Sequence, residues 1–307
     1  METRQPPSAR AFVKRHAVLV FYVLVFALAL GPTLILVGPG AFLGTTTFLG
    51  TDAELTSAAD VDPVMYVAML TGAPSFALAA ILVIALAFGR VGLRDLRSRL
   101  LRWRVGVRWY AVALLTAPLL WSVILFAFSL TSKAYLPGIL SAEDKASLLV
   151  AGLVAGLIAA FFEEIAWTGF ATHELSKRHG LLATGLLVGL PWCLVHVTLF
   201  AGAGAGAVPE ALAVAAIFFW FLAYRVLMVW VYSHTQSVLM AMLMHLTISV
   251  MAFLMASPAM VGAPDLIFNL IFGATLWVFV AAVAAADRTK LSRPESGQPS
   301  AQARVSR

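Results

Sequence analysis

Long apolar runs constrain this chain more than any other feature. A helix that crosses a bilayer needs about 20 mostly apolar residues. Eight runs meet that length: residues 17–38, 65–89, 109–131, 147–170, 181–202, 209–232, 236–256 and 266–286. The sequence is 61% hydrophobic and 12% charged, about half the charge of an ordinary soluble domain. The expected fold is therefore an all-α integral membrane protein, with about eight transmembrane helices in one bundle. The first run follows Arg10, Lys14 and Arg15 and so imitates a secretory signal. A signal core is about 7–15 residues, and this run is longer, so it reads as a retained helix.

Charge between the runs sets the orientation. Basic residues gather before the first run, between the second and third, after the fourth at Lys177 and Arg178, and after the eighth at Arg288, Lys290 and Arg293. The loops between these are acidic or poor in charge, with Asp52, Glu54, Asp60 and Asp62 in the first. Cytoplasmic loops carry the lysine and arginine excess. Eight spans with both termini cytoplasmic, in the plasma (cytoplasmic) membrane, satisfy every loop. Residues 1–16 are then a cytoplasmic tail and 17–286 the membrane domain. Residues 287–307, rich in Ser, Pro, Gln and Arg, form a tail too polar to fold around a core. Residues 201–208, AGAGAGAV, read as a flexible turn.

The net charge of +6 does not point to nucleic acid, because the basic residues sit between apolar runs. Between Arg90 and Arg108, leucines 93, 96, 100 and 101 recur at helical spacing among arginines. That pattern predicts a basic amphipathic helix over 92–109 lying in the inner headgroup region, with anionic lipid as its partner. The plainer reading is an orientation anchor.

Four polar places fall inside the runs, where ionisable side chains are expensive and mark function by default. Glu163 and Glu164 are adjacent near the end of the fourth run. Neighbours on a helix point about 100° apart, so the two face different partners. Glu163 shares a face with Trp167, and Glu164 with Thr168. A desolvated carboxylate suits general acid–base work; the bland alternative is a solvated pair at the interface. His196 lies inside the fifth run, with Trp192 one turn earlier. It can shuttle a proton, bind a metal, or only tie helices together. His245 and Ser249 are four apart and face the same way, so both can donate to one oxygen or simply pack. Arg225, in the sixth run, can snorkel to the interface or pair with a buried acid. His16, His173, His179 and His234 fall at run ends or in loops and read as solvated.

Soluble templates are missing. There is no HExxH, P-loop, GxGxxG-helix context or GxSxG elbow. The single cysteine, Cys193, permits neither an intramolecular disulfide nor a cysteine metal site.

Taken in order, Glu163-Glu164-Ile165-Ala166-Trp167-Thr168, Trp192-Cys193-Leu194-Val195-His196 and His245-Leu246-Thr247-Ile248-Ser249 resemble the three motifs of the CAAX protease and bacteriocin-processing (CPBP, or Abi) family of intramembrane proteases. Those motifs read EExxxR, aromatic-xxxH and HxxxN. The resemblance extends over about residues 90–250, with a family-like core at about 147–256. It departs at two positions: Thr168 stands for the arginine and Ser249 for the asparagine. Arg225 is then the expected substitute partner of Glu164. The resemblance implies an endopeptidase acting on a membrane protein or lipidated peptide, with Glu163, Glu164, His196, His245 and Ser249 as its catalytic set. Glu163 and His196 would activate water, and His245 would help hold the oxyanion. The same chemistry allows zinc on Glu163, His196 and His245, or metal-free water activation. Competing readings are a catalytically silent relative acting as scaffold or bacteriocin-immunity factor, and a transporter relaying protons through Glu163 and His196. No internal repeat supports the transporter.

Overall fold

The structure, a computed structural model, describes residues 9–37, 63–197 and 208–291. The acidic first loop, nearly all of the 201–208 turn and the end of the C-terminal tail lie outside the described residues. In chain order the helices are α1 (Ala9–Arg15), α2 (Ala17–Val37), α3 (Pro63–Leu100), α4 (Val107–Ser129), α5 (Gly138–Ser141) and α6 (Lys145–Ala166). A π turn, Trp167–Thr172, joins α6 to α7 (His173–Leu175). Then come α8 (Leu181–Val195), α9 (Glu210–Thr235), α10 (Val238–Met255) and α11 (Ala263–Leu291).

Each of the eight apolar runs contributes a helix among the described residues, and the protein is an all-α, multi-pass membrane protein. Among the described residues six helices are long and apolar enough to cross a bilayer. The pair α1–α2, bent by 90°, raises that to as many as seven. The fifth run is shorter than expected: α8 has 15 residues and stops at Val195. His196 is thus the C-cap of α8, not an interior residue. The cause is local. The His196 ring takes the Trp192 carbonyl at 2.7 Å, while its backbone N–H turns to Cys193 at 3.0 Å, so a side chain satisfies one of the carbonyls a helix end leaves open.

The ends differ from expectation too. Residues 9–15 of the N-terminal tail are helical, and α11 continues to Leu291, past the expected tail boundary at 287. The basic amphipathic stretch expected over 92–109 is divided. Its helical part ends at Leu100, residues 101–106 are irregular, and α4 starts at Val107. The chain must reverse here to re-enter the bilayer, and the Tyr110 hydroxyl fastens the turn by donating to the Trp103 carbonyl at 2.6 Å. The helical part is set off from the spanning part of α3 by Gly89, whose φ of 62° belongs to glycine.

Lipid is as apolar as leucine, so helices associate in a bilayer through close packing and polar contacts. On α6 two stripes show the division. Leu149, Leu153, Leu157 and Phe161 are exposed toward lipid, while Gly152, Gly156 and Ala160 are buried. A Cβ at Gly156 would lie 3.1 Å from Leu246 of α10, so the small stripe seats α10. The same i,i+4 row leads on to Glu164. On α8, Gly185 and Gly189 seat α9, since a Cβ at Gly185 would lie 2.9 Å from the Val226 Cα. Both are GxxxG stripes. Between α8 and α11 and also touching α4 and α10, α9 is the most buried long helix and carries Arg225.

Candidate active site

Four helices deliver the polar residues. Glu163 and Glu164 come from the last turn of α6, Trp192 and His196 from the end of α8, Arg225 from α9 and His245 from α10. The solvated reading of the glutamates fails: Glu163 is 5% exposed and Glu164 fully buried. The two face different partners.

Glu164 is saturated. The Arg225 guanidinium grips it in bidentate fashion, Nη1 to Oε2 and Nη2 to Oε1, both at 2.9 Å. Thr168 donates its hydroxyl to Oε2, and His245 Nδ1 meets Oε1 at 2.8 Å. Arg225 therefore does not snorkel; its side chain is fully buried. It supplies from α9 the guanidinium that the EExxxR pattern would supply from the glutamates' own helix. Thr168 adds one neutral donor. A buried charge is tolerable only when paired and hydrogen-bonded, and here both charges are.

Glu163 is held differently. Two indole N–H groups donate to its Oε2, Trp192 at 2.8 Å and Trp167 at 3.2 Å. Its Oε1 stands 3.7 Å from His196 Nε2. Neutral donors on one oxygen leave the other turned to an imidazole, close enough for one water beside the pair to touch both. The His196 side chain is 15% exposed.

Trp192 is the hub. Besides donating to Glu163, its ring lies 5.6 Å from His196, 5.5 Å from His245 and 4.5 Å from Phe221, with the Arg225 guanidinium 4.0 Å from the ring centroid. The two motif histidines are thus brought against one indole. The spacing to His196 put Trp192 on the right face, but only the fold turned its N–H to Glu163. Ser249, half-buried on α10, makes none of these hydrogen bonds. His173 is not solvated as expected: it is half-buried, its Nδ1 3.0 Å from the Tyr232 hydroxyl.

The donor set does not converge as a zinc site would. Among the described residues no three of His, Cys, Asp and Glu are grouped to hold a metal ion. What the arrangement can do is hold water beside a carboxylate and an imidazole, near a second imidazole whose Nε2 is its remaining polar atom.

Residues 145–251, about a third of the chain, match the family model for type II CAAX prenyl endopeptidase Rce1-like proteins. That segment contains all three motifs and agrees with the CPBP resemblance. No curated protein matches the chain.

Proposed function

We propose, from the premise that residues 145–251 are an Rce1-like segment of a multi-pass membrane protein, that the chain is an intramembrane endopeptidase of the CAAX type. Its substrate would be a membrane-associated protein or lipidated peptide. The observation that carries the reading is the division of labour between the glutamates: Glu164 is saturated by Arg225, Thr168 and His245, while Glu163 keeps one oxygen facing His196 at 3.7 Å.

In this reading a water beside Glu163 Oε1 and His196 Nε2 gives up a proton to the Glu163 carboxylate as its oxygen attacks the scissile carbonyl carbon. The carbonyl becomes a tetrahedral oxyanion. His245, oriented by Glu164, faces that oxyanion with Nε2 and stabilises it as a donor when protonated. Collapse breaks the C–N bond, the retained proton passes to the leaving amine, and the products are a carboxylic acid and an amine. This step needs no metal, so purified protein that is active without bound zinc would fit the reading. Basic residues in alternate loops, which therefore share one side, support cleavage near the cytoplasmic half of the bilayer, with both termini cytoplasmic and the protein in the plasma membrane. The arginines from Arg90 to Arg108 would meet anionic lipid there.

The test compares membranes expressing wild type with membranes expressing Glu163→Ala, following candidate substrates by mass spectrometry. New peptide termini should form with wild type and vanish with the variant. Identical peptide profiles would sink the protease. They would leave the silent-relative reading, which one observation favours: Ser249, standing where the family pattern has asparagine, makes no hydrogen bond into the site. Solute flux in proteoliposomes, lost in Glu163→Ala, would favour a transporter instead.

A further inference from the structure

We infer that Arg99, outside the Rce1-like segment, is a positioning residue for Glu163, acting through the π turn that follows the glutamate pair. The kink at Gly89 lays the end of α3 against that turn. Arg94 and Arg97 on this segment are exposed, whereas Leu96 and Arg99 are each 4% exposed. The Arg99 Nη1 donates to the Gly169 carbonyl at 2.7 Å and to the Tyr232 hydroxyl at 3.1 Å. Its Nε and Nη2 hold Asp95 Oδ2 at 3.0 and 2.8 Å. The approach is close because Gly169 has no side chain; a Cβ there would lie 2.8 Å from Leu96 Cδ1.

An arginine at an interface ordinarily snorkels, as its neighbours do. Asp95 lies on the same helix with its side chain 48% exposed, so that pair alone gives Arg99 no reason to go inward. The Gly169 carbonyl does. It is buried in a widened turn, and a buried carbonyl requires a donor. Widened π turns are rare and recur at functional sites. This one begins at Trp167, whose indole donates to Glu163.

The turn is fastened to α9 at two levels. Glu164 and Arg225 tie its beginning. Gly169 through Arg99, and His173 directly, tie its end to Tyr232. Tyr232 is seven residues beyond Arg225, about 10 Å along the helix. Without Arg99 only the His173 contact to Tyr232 holds the end of the turn, which is then freer to relax toward α-helical spacing, moving Trp167 and taking one N–H from Glu163.

The inference rests on the protease reading only for its effect on cleavage; the positioning can be read without any substrate. The full chain in lipid nanodiscs, as wild type, Arg99→Gln and Arg99→Lys, is compared by hydrogen-exchange mass spectrometry. The same samples are treated with dicyclohexylcarbodiimide, which modifies carboxyl groups in apolar surroundings. In Arg99→Gln, amide exchange over 167–172 should rise about tenfold, the loss of one charge-assisted hydrogen bond, with α4 and α11 unchanged. Modification of Glu163 should change at least threefold, because a donor no longer covers its oxygen. Arg99→Lys keeps the charge but lacks the fork that reaches three acceptors, so it should fall between. Unchanged exchange at 167–172, an equal rise in every helix, or Glu163 modified identically in all three proteins or in none overturns the inference. If the shifts occur while wild type cleaves nothing, the positioning role stands and the protease reading fails.

Discussion

At the residue scale, one aromatic and one basic side chain divide two adjacent carboxylates into different tasks. Trp192 gives Glu163 a neutral N–H and Arg225 gives Glu164 a charge. Arg225→Met leaves a buried carboxylate without its counter-ion, which should cost about 3–5 kcal/mol. Adding Glu164→Gln removes both charges and should recover most of that loss, measured as the thermal midpoint of purified protein. A double variant no more stable than Arg225→Met would show that the pair is not coupled. Trp192→Phe keeps an aromatic ring there but deletes the N–H together with part of the indole's volume. It should lower cleavage at least tenfold with folded yield unchanged, checked by peptide mass spectrometry beside size-exclusion yield. The identities of these residues are plain in the sequence. Their pairing is not, because Glu164 and Arg225 are 61 positions apart and a run of apolar residues carries no information about which helix lies beside which.

At the element scale, two GxxxG stripes decide which helices meet at the site. Gly152 and Gly156 admit α10 to α6, and Gly185 and Gly189 admit α9 to α8. The second contact is the tighter, since a Cβ at Gly185 would lie 2.9 Å from the Val226 Cα, whereas the backbone nearest a Cβ at Gly156 is 3.4 Å away. Gly185→Ala should therefore destabilise by about 1–3 kcal/mol and Gly156→Ala by less. The order of their thermal midpoints checks this, and the reverse order would contradict it. Helix existence was legible from apolar length alone. Helix ends were less so: α8 stops where the His196 ring takes a carbonyl, and the π turn after α6 depends on a guanidinium from α3. Both causes lie in side-chain geometry that a hydropathy pattern does not register.

At the scale of the whole molecule, α9 is wrapped by other helices while α6 keeps a leucine-rich stripe toward lipid. The arginines at 90, 94, 97, 102, 104 and 108 are exposed around the α3–α4 turn. With Arg99 turned inward, these six are the ones left for anionic headgroups. Raising the thermal midpoint by moving the protein from zwitterionic to anionic nanodiscs should require them. Replacing Arg94, Arg97, Arg102 and Arg104 by glutamine should remove most of that gain, and an undiminished gain would place the lipid contact elsewhere. Reporter fusions at the two ends should both report the cytoplasmic side if the proposed orientation holds, and opposite sides would overturn it.

The sequence by itself determined that this chain lives in a bilayer, because runs of about 20 apolar residues have few other stable fates. It also singled out Glu163, Glu164, His196 and His245, because ionisable groups among such residues need a reason to be there. Only the tertiary structure decided which glutamate is spent on Arg225 and which is left facing an imidazole. That choice depends on where α8, α9 and α10 stand around the end of α6, and their placement follows from packing of small residues against neighbours far away in the chain.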